Sequence, residues 1–222
     1  MQFQLAPSIL SADFLRLGEE ISLLNSHAQL VHIDVMDGSF VPNISMGIVV
    51  TEAVSRIATI PLDVHLMVVN PQKWVDRFIS AGAGRVSFHL EAAVQAGVDP
   101  VQPLSAIRSA GALAGLAFNP DVPVSDVFPY LEAADFILVM SVFAGFSGQK
   151  FIPESLERIS ELKAEIDRRG LSCAIEVDGG VGPGNIAALR NAGVDTFVAA
   201  NAIYSHPDRA AAIAALRAAA GE

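Results

Sequence analysis

Cysteine is almost absent from this chain: Cys173 alone among 222 residues, set in the apolar run "SCAIEV". One thiol makes no internal disulfide, so nothing in the cysteine count points to an oxidising compartment. In that setting the residue reads as a small buried hydrophobe rather than a nucleophile. Positive charge is also scarce, 14 Lys and Arg against 24 Asp and Glu, with a formal net charge of −10 and no basic run. Binding nucleic acid requires clustered cations to neutralise phosphates, so no nucleic-acid partner is expected. One phosphate on a small molecule needs far less, because backbone N–H groups hold it without any cation. No apolar run approaches the roughly 20 residues that span a bilayer. The opening "MQFQLAPSIL" lacks the charged and long apolar regions of a signal peptide. The expected location is the cytoplasm, with no membrane partner. Linkers, low-complexity segments and charge blocks are missing too, so residues 1–222 read as one domain.

What the chain does contain is alternation. Short apolar runs fall at 4–10, 30–35, 62–67, 85–90, 113–118, 135–140, 172–177 and 195–200, and each is followed by a segment able to form a helix. The segment 71–83 starts at Pro71 and stops near Gly82. The segment 153–170 spaces Leu156, Ile159, Leu162 and Ile166 helically, and Gly170 ends it. The Ala-rich segment 207–221 is punctuated in the same way. Strands alternating with helices imply parallel strands joined by crossover helices. Eight such units in one chain predict a closed (β/α)8 TIM barrel, with an open doubly wound sheet as the alternative.

In parallel barrels the chemistry lies at the C-terminal ends of the strands, and unusual polar residues recur there. Ser8 and Ser11 are assigned to the end of the first strand, His32 and Asp34 to the second, and His65 with Met67 to the third. His89, Asn119, Met140 with Ser141, and Asp178 follow at the fourth to seventh. In "VHIDVM" the period of 2 sends His32, Asp34 and Met36 to one face. Taken alone, a strand-end histidine is usually a hydrogen-bonded structural residue, and an Asp after a strand usually caps a turn or helix. The recurrence is what favours a site. His32, Asp34, His65 and Asp178 form the sharpest set, and two imidazoles with two carboxylates suit Zn, Fe, Mn or Co better than Mg or Ca. Asp63 precedes His65 by two residues and reads as a partner that orients a histidine. Glycine-rich "AGFSGQ" (144–149) and "DGGVGPGN" (178–185) stand where barrels hold phosphate.

In combination, "PSILSADFLRLGEE", "HIDVMDGSFVPN", "DVHLMV", "NP" at 119–120, "GFSGQKF" and "EVDGG" resemble the ribulose-phosphate 3-epimerase family, from about Pro7 to Tyr204. The resemblance implies a (β/α)8 barrel with one divalent metal ion, zinc first and iron, manganese or cobalt as alternatives. It implies an isomerase of the pentose phosphate pathway that interconverts D-ribulose 5-phosphate and D-xylulose 5-phosphate. The metal ligands would be His32, Asp34, His65 and Asp178, and Asp34 and Asp178 would also be the acid/base pair. Ser8, His65, Met36, Met67 and Met140 would contact the substrate. Gly145, Phe146, Ser147, Gly148, Gly179, Gly180, Ala200 and Asn201 would surround its phosphate. Asp37 falls outside this set and, before Gly38, reads as a turn residue. The expected assembly is a homo-oligomer.

The chemistry accounts for these residue types. The carbon-3 proton beside a ketone is too weakly acidic for an unaided carboxylate. A Lewis acid on the ketone and neighbouring hydroxyl lowers that barrier. Inversion then needs a base on one face and an acid on the other. Methionines would exclude water from the reacting carbons, although core filling is their ordinary role. The chain departs from the family pattern at Phe143, Ala144, Ser147, Val122, Ala200 and Asn201, all in substrate-end loops. A related ketose phosphate, allulose 6-phosphate or a four-carbon sugar phosphate, is therefore an alternative substrate. So is a non-catalytic phosphosugar-binding barrel, although such a module needs no pair of opposed carboxylates. Barrel aldolases and decarboxylases typically use a strand-end lysine, and Lys73, Lys150 and Lys163 end no predicted strand.

Overall fold

The computed structural model describes residues 3–222. Its eight strands are β1 (Gln4–Pro7), β2 (Val31–Met36), β3 (Leu62–Met67), β4 (Ala83–His89), β5 (Leu113–Phe118), β6 (Phe136–Met140), β7 (Ala174–Asp178) and β8 (Thr196–Ala199). All ladders are parallel and run in the order β1-β8-β7-β6-β5-β4-β3-β2. A parallel Ser8–His32 bridge joins the two ends of that order and closes the barrel. The TIM-barrel expectation therefore holds.

Alternation along the strands sorts the chemistry. In β2, Val31, Ile33 and Val35 belong to the apolar layer between sheet and helices. His32, Asp34 and Met36 point the other way, into the barrel. The register sets His32 beside Asp63 and Asp34 beside His65 across β2 and β3. It sets Met140 beside Asp178 across β6 and β7. Helices at Leu17–His27, Ile48–Ser55, Val101–Ser109, Ser155–Arg169 and Arg209–Ala220 cover the outside. The helix Ser155–Arg169 buries Ile159, Leu162 and Ile166 and ends at Gly170, whose φ of +66° lets its N–H reach Ile166 and Asp167 carbonyls. Among the described residues no helix is long and apolar enough to cross a membrane.

Several boundaries differ from the sequence reading. Strand β1 stops at Pro7, and a 3-10 turn at Ile9–Ser11 follows, capped by the Ser8 side chain. Ser11 is thus a turn residue, not a strand end. The helix expected over 71–83 splits into a 3-10 turn, Pro71–Lys73, and a short α-helix, Val75–Ser80. Left-handed Asn70, at φ 53°, starts that tight turn. The fifth crossover is a 3-10 segment, Val124–Tyr130, because Pro129 inside it has no N–H for an α-helical bond.

Gly115 in β5 is required by packing. A Cβ there would meet the Phe136 ring at 2.3 Å. Gly115→Ala is expected to cost about 1–3 kcal/mol, as overpacked cores do, and to lower the melting temperature by roughly 2–4 °C per kcal/mol. An unchanged thermal melt would refute this.

Candidate active site

A buried polar layer forms the floor of the site. Arg85 on β4 donates to Asp63 on β3 (3.1 Å) and to Glu176 on β7, and its third nitrogen reaches Gln4 of β1 at 3.3 Å. Asp63 in turn lies 2.8 Å from His32 Nδ1. Burial alone would push Asp63 up, but Arg85 and His32 hold it well below the usual carboxylate range. Asp63 thus orients His32, the role its spacing pointed to. Arg85, Glu176 and Gln4 were not singled out from the sequence. Their signal was present, since Arg85, Ser87 and His89 share one strand face, as do Glu176 and Asp178.

The next layer up holds the candidate ligands. With Nδ1 engaged by Asp63, His32 Nε2 is buried without a hydrogen-bond partner, 3.4 Å from Asp34 Oδ1. His65 Nδ1 lies 3.2 Å from Asp34 Oδ1 and 3.9 Å from Asp178 Oδ2. Its Nε2 faces His89 Nε2 at 2.9 Å. One ligand atom from each of His32, Asp34, His65 and Asp178 lies within 4.8 Å of the others. The orphaned His32 nitrogen and the two clustered carboxylates fit one divalent cation. A second grouping, His32 with Asp63 and Glu176, is just as compact. There, however, the Arg85 guanidinium already bonds both carboxyl groups, and its positive charge repels a cation. Of the two groupings, the upper one has the chemistry that suits a cation.

The two strand-end carboxylates differ in charge. Burial raises Asp34, but His32 and His65 outweigh it and hold Asp34 far below the carboxylate range. Ser8 Oγ also donates to Asp34 Oδ2 at 2.5 Å. At Asp178 the opposing groups, His32 and the Gly179 N–H, are too weak to offset burial. Burial and the neighbouring Asp34 charge push it up to about 7.

Above these residues opens a cavity of about 270 Å³. Asp34 and Asp178 stand at its base with Ser8, Met36, Met67 and Met140. Gly145, Phe146, Ser147, Gly148, Gly179, Gly180, Ala200 and Asn201 line the same space. His32 and His65 are fully buried and do not line it. The substrate contact expected of His65 therefore has no counterpart among the cavity-lining residues, although Asp34, 3.2 Å from its Nδ1, does line it. At Gly180, φ is +63° and a Cβ would lie 2.5 Å from Phe151 N, so only glycine lets these two loop backbones meet. Asn43 Nδ2 donates to Gly145 O at 2.9 Å, and Ser11 and Ser147 hydroxyls meet at 2.6 Å. These bonds tie the loop after β6 to the loops after β1 and β2.

Residues outside the cavity behave plainly. Asp37 accepts from Ser39, Phe40 and Val69 N–H groups and so organises a turn. Cys173 is buried, and desolvation pushes its thiol up to about 12. No lysine ends a strand: Lys73 is in a 3-10 turn, Lys150 in a loop and Lys163 in a helix.

Comparison with known proteins places the chain in a family. Residues 4–204 match the family model described as the ribulose-phosphate 3 epimerase family. The chain is 44% identical over 217 residues to ribulose-phosphate 3-epimerase of Mycobacterium tuberculosis (strain ATCC 25618 / H37Rv), covering 98% of this chain and 93% of that protein. It is 46% identical over 213 residues to ribulose-phosphate 3-epimerase of Synechocystis sp., covering 96% and 92%. Among solved structures, 3-hexulose-6-phosphate synthase superposes with a TM-score of 0.69 at 20% identity, over 99% of each chain. At that identity the likeness shows the fold alone.

Proposed function

The chain belongs to the ribulose-phosphate 3-epimerase family, and on that premise we propose how its residues perform the reaction. It is an isomerase of the epimerase class acting on D-ribulose 5-phosphate and D-xylulose 5-phosphate. The observation that carries the mechanism is the pair of unlike carboxylates, Asp34 and Asp178, at the base of one cavity beside two buried imidazoles.

His32, Asp34, His65 and Asp178 would hold one divalent cation, zinc first, with iron, manganese or cobalt fitting the same donors. When bound, that ion supplies Lewis-acid stabilisation of the negative charge that develops on the ketone and neighbouring hydroxyl oxygens. The remaining work falls to the protein. Asp34 and Asp178 exchange the carbon-3 proton from opposite faces, one removing it and the other delivering it. Their environments separate their proton affinities, as an acid and a base at one carbon require. Ser8 positions Asp34 through its 2.5 Å hydrogen bond. Met36, Met67 and Met140 wall the reacting carbons without offering a competing proton. The glycine loops at 145–148 and 179–180, with Ala200 and Asn201, present backbone N–H groups and one side-chain amide to the phosphate.

The test is direct. In deuterated water with ribulose 5-phosphate, NMR should show deuterium entering carbon 3 as the sugar inverts. Both should stop on chelation and return with zinc. Full turnover after exhaustive chelation would sink the metal assignment, and no exchange at any metal occupancy would sink the epimerase mechanism. Allulose 6-phosphate in parallel measures the effect of the loop departures.

A further inference from the structure

His65 does not end its contacts at the site. Its Nε2 lies 2.9 Å from His89 Nε2, inside the barrel wall, where both rings are fully buried. Two facing imidazole nitrogens bond only if one carries the proton and the other is bare. The pair therefore has two settings. In the outward setting His65 Nε2–H donates to His89, and His65 Nδ1 is left bare toward Asp34 and Asp178. In the inward setting the protons sit one nitrogen further in, and His65 Nδ1–H points at Asp34 Oδ1. Only the outward setting offers a lone pair to a cation.

The far end of the pair decides between them. In the outward setting His89 Nδ1 carries a proton, and the Glu91 carboxylate faces it as an ion-pair partner, Oε1 lying 3.5 Å away. In the inward setting His89 Nδ1 is bare, and the Asn119 side-chain amide, also at 3.5 Å, is the donor that satisfies it. That amide is held in its orientation, because Asn119 Oδ1 accepts from Ala144 N–H at 3.0 Å. The two partners thus favour opposite settings. At equal distance the full negative charge of Glu91 acts more strongly on a proton at His89 Nδ1 than a neutral amide dipole does, so Glu91 prevails over Asn119. Burial opposes ionisation of Glu91, but His89 and the local backbone N–H groups hold its carboxyl below the usual range.

We propose that Glu91 is a positioning residue for the metal site, acting through His89 to hold His65 in the tautomer whose Nδ1 binds the cation. The proposal rests on the metal reading above. It requires no contact between Glu91 and substrate, and Glu91 does not line the catalytic cavity.

Glu91→Gln isolates the charge, since the amide oxygen still accepts the Asn119 N–H that Glu91 Oε1 takes at 3.0 Å. Competition with a chromogenic chelator should show zinc binding weakened about tenfold, the lower end of what outer partners of a ligating histidine contribute. In the metal-free wild type, long-range 1H–15N NMR should place the His89 proton on Nδ1 and the His65 proton on Nε2. The His89 proton should be shifted downfield by the carboxylate, and that shift should be lost in Glu91→Gln. Zinc affinity unchanged within twofold, or a wild-type His89 protonated on Nε2, would overturn the relay while leaving the metal site standing. A wild type that binds no zinc would overturn both. The wild-type spectrum decides the matter even if the variant folds poorly.

Discussion

Asp178→Asn is expected to slow epimerisation by about 10²–10⁴-fold, the range general acid–base groups contribute, with little change in fold. The amide matches the carboxylate in shape, and the Ser141 bonds at this turn go to the carbonyls of Asp178 and Gly179, not to the side chain. The loss should persist at saturating zinc, which separates proton transfer from weakened ligation. Deuterium entry at carbon 3 should fall in step with inversion; full turnover in the variant would refute the acid/base role. The metal-free protein gives a second readout. There the Asp178 pKa is raised from 3.8 to about 7 by burial and by Asp34. The folded chain then binds this proton more tightly than the unfolded chain. Its contribution to stability is full below about pH 4 and is lost as pH rises through about 7. The amide that Asp178→Asn introduces does not titrate, so the metal-free variant should lose part of that decline between about pH 4 and 7 in thermal melts. A bound cation reverses the preference, because ligation requires the deprotonated carboxylate.

The sequence disclosed the site's side chains better than its surroundings, for physical reasons. Alternation with period 2 put His32, Asp34 and Met36 on one face, and the structure places that face in the barrel. Parallel strands in register then brought His65 beside Asp34, a contact that strand order predicts without coordinates. Depth was not legible. Whether His65 reaches the cavity depends on barrel tilt and stagger, which no local pattern encodes. The floor layer was overlooked because a charged residue inside an apolar strand reads as an exception until its partners on other strands are known. Arg85, Asp63 and Glu176 make sense only together. The phosphate end was legible only as glycine, since backbone N–H donors leave no side-chain signature. The fifth crossover failed for a local reason: the apolar spacing of 124–130 survives in a 3-10 segment, and Pro129 decides which helix forms.

Arg85→Met is expected to destabilise the protein by about 3–5 kcal/mol, the cost of breaking a buried ion pair from one side. That corresponds to a melting temperature lower by roughly 6–20 °C at this chain length. The guanidinium is buried, stacks 4.2 Å from the Phe136 ring, and donates to both Asp63 and Glu176. Methionine replaces its volume but leaves two buried carboxyls without a cation. Glu176 accommodates this easily, since burial and Asp63 already hold it far above the usual range. Asp63 does not, because its low pKa overcomes burial chiefly through Arg85. A depressed carboxylate contributes stability above its unfolded pKa, 3.8, that is lost as pH falls through its folded value. The variant lacks that contribution, so its deficit should hold from neutral pH down to about pH 4 and shrink only below it, as Asp63 takes up its proton. Adding Asp63→Asn removes the stranded charge and should recover part of the loss in the same melts. It should not recover zinc affinity, because an amide holds the His32 ring less firmly than a carboxylate does. A melt of Arg85→Met within about 1 kcal/mol of wild type, well under the cost of a broken buried pair, would mean that the floor layer does not support the site. Recovery of stability without recovery of zinc binding would show that these buried charges are kept to aim His32.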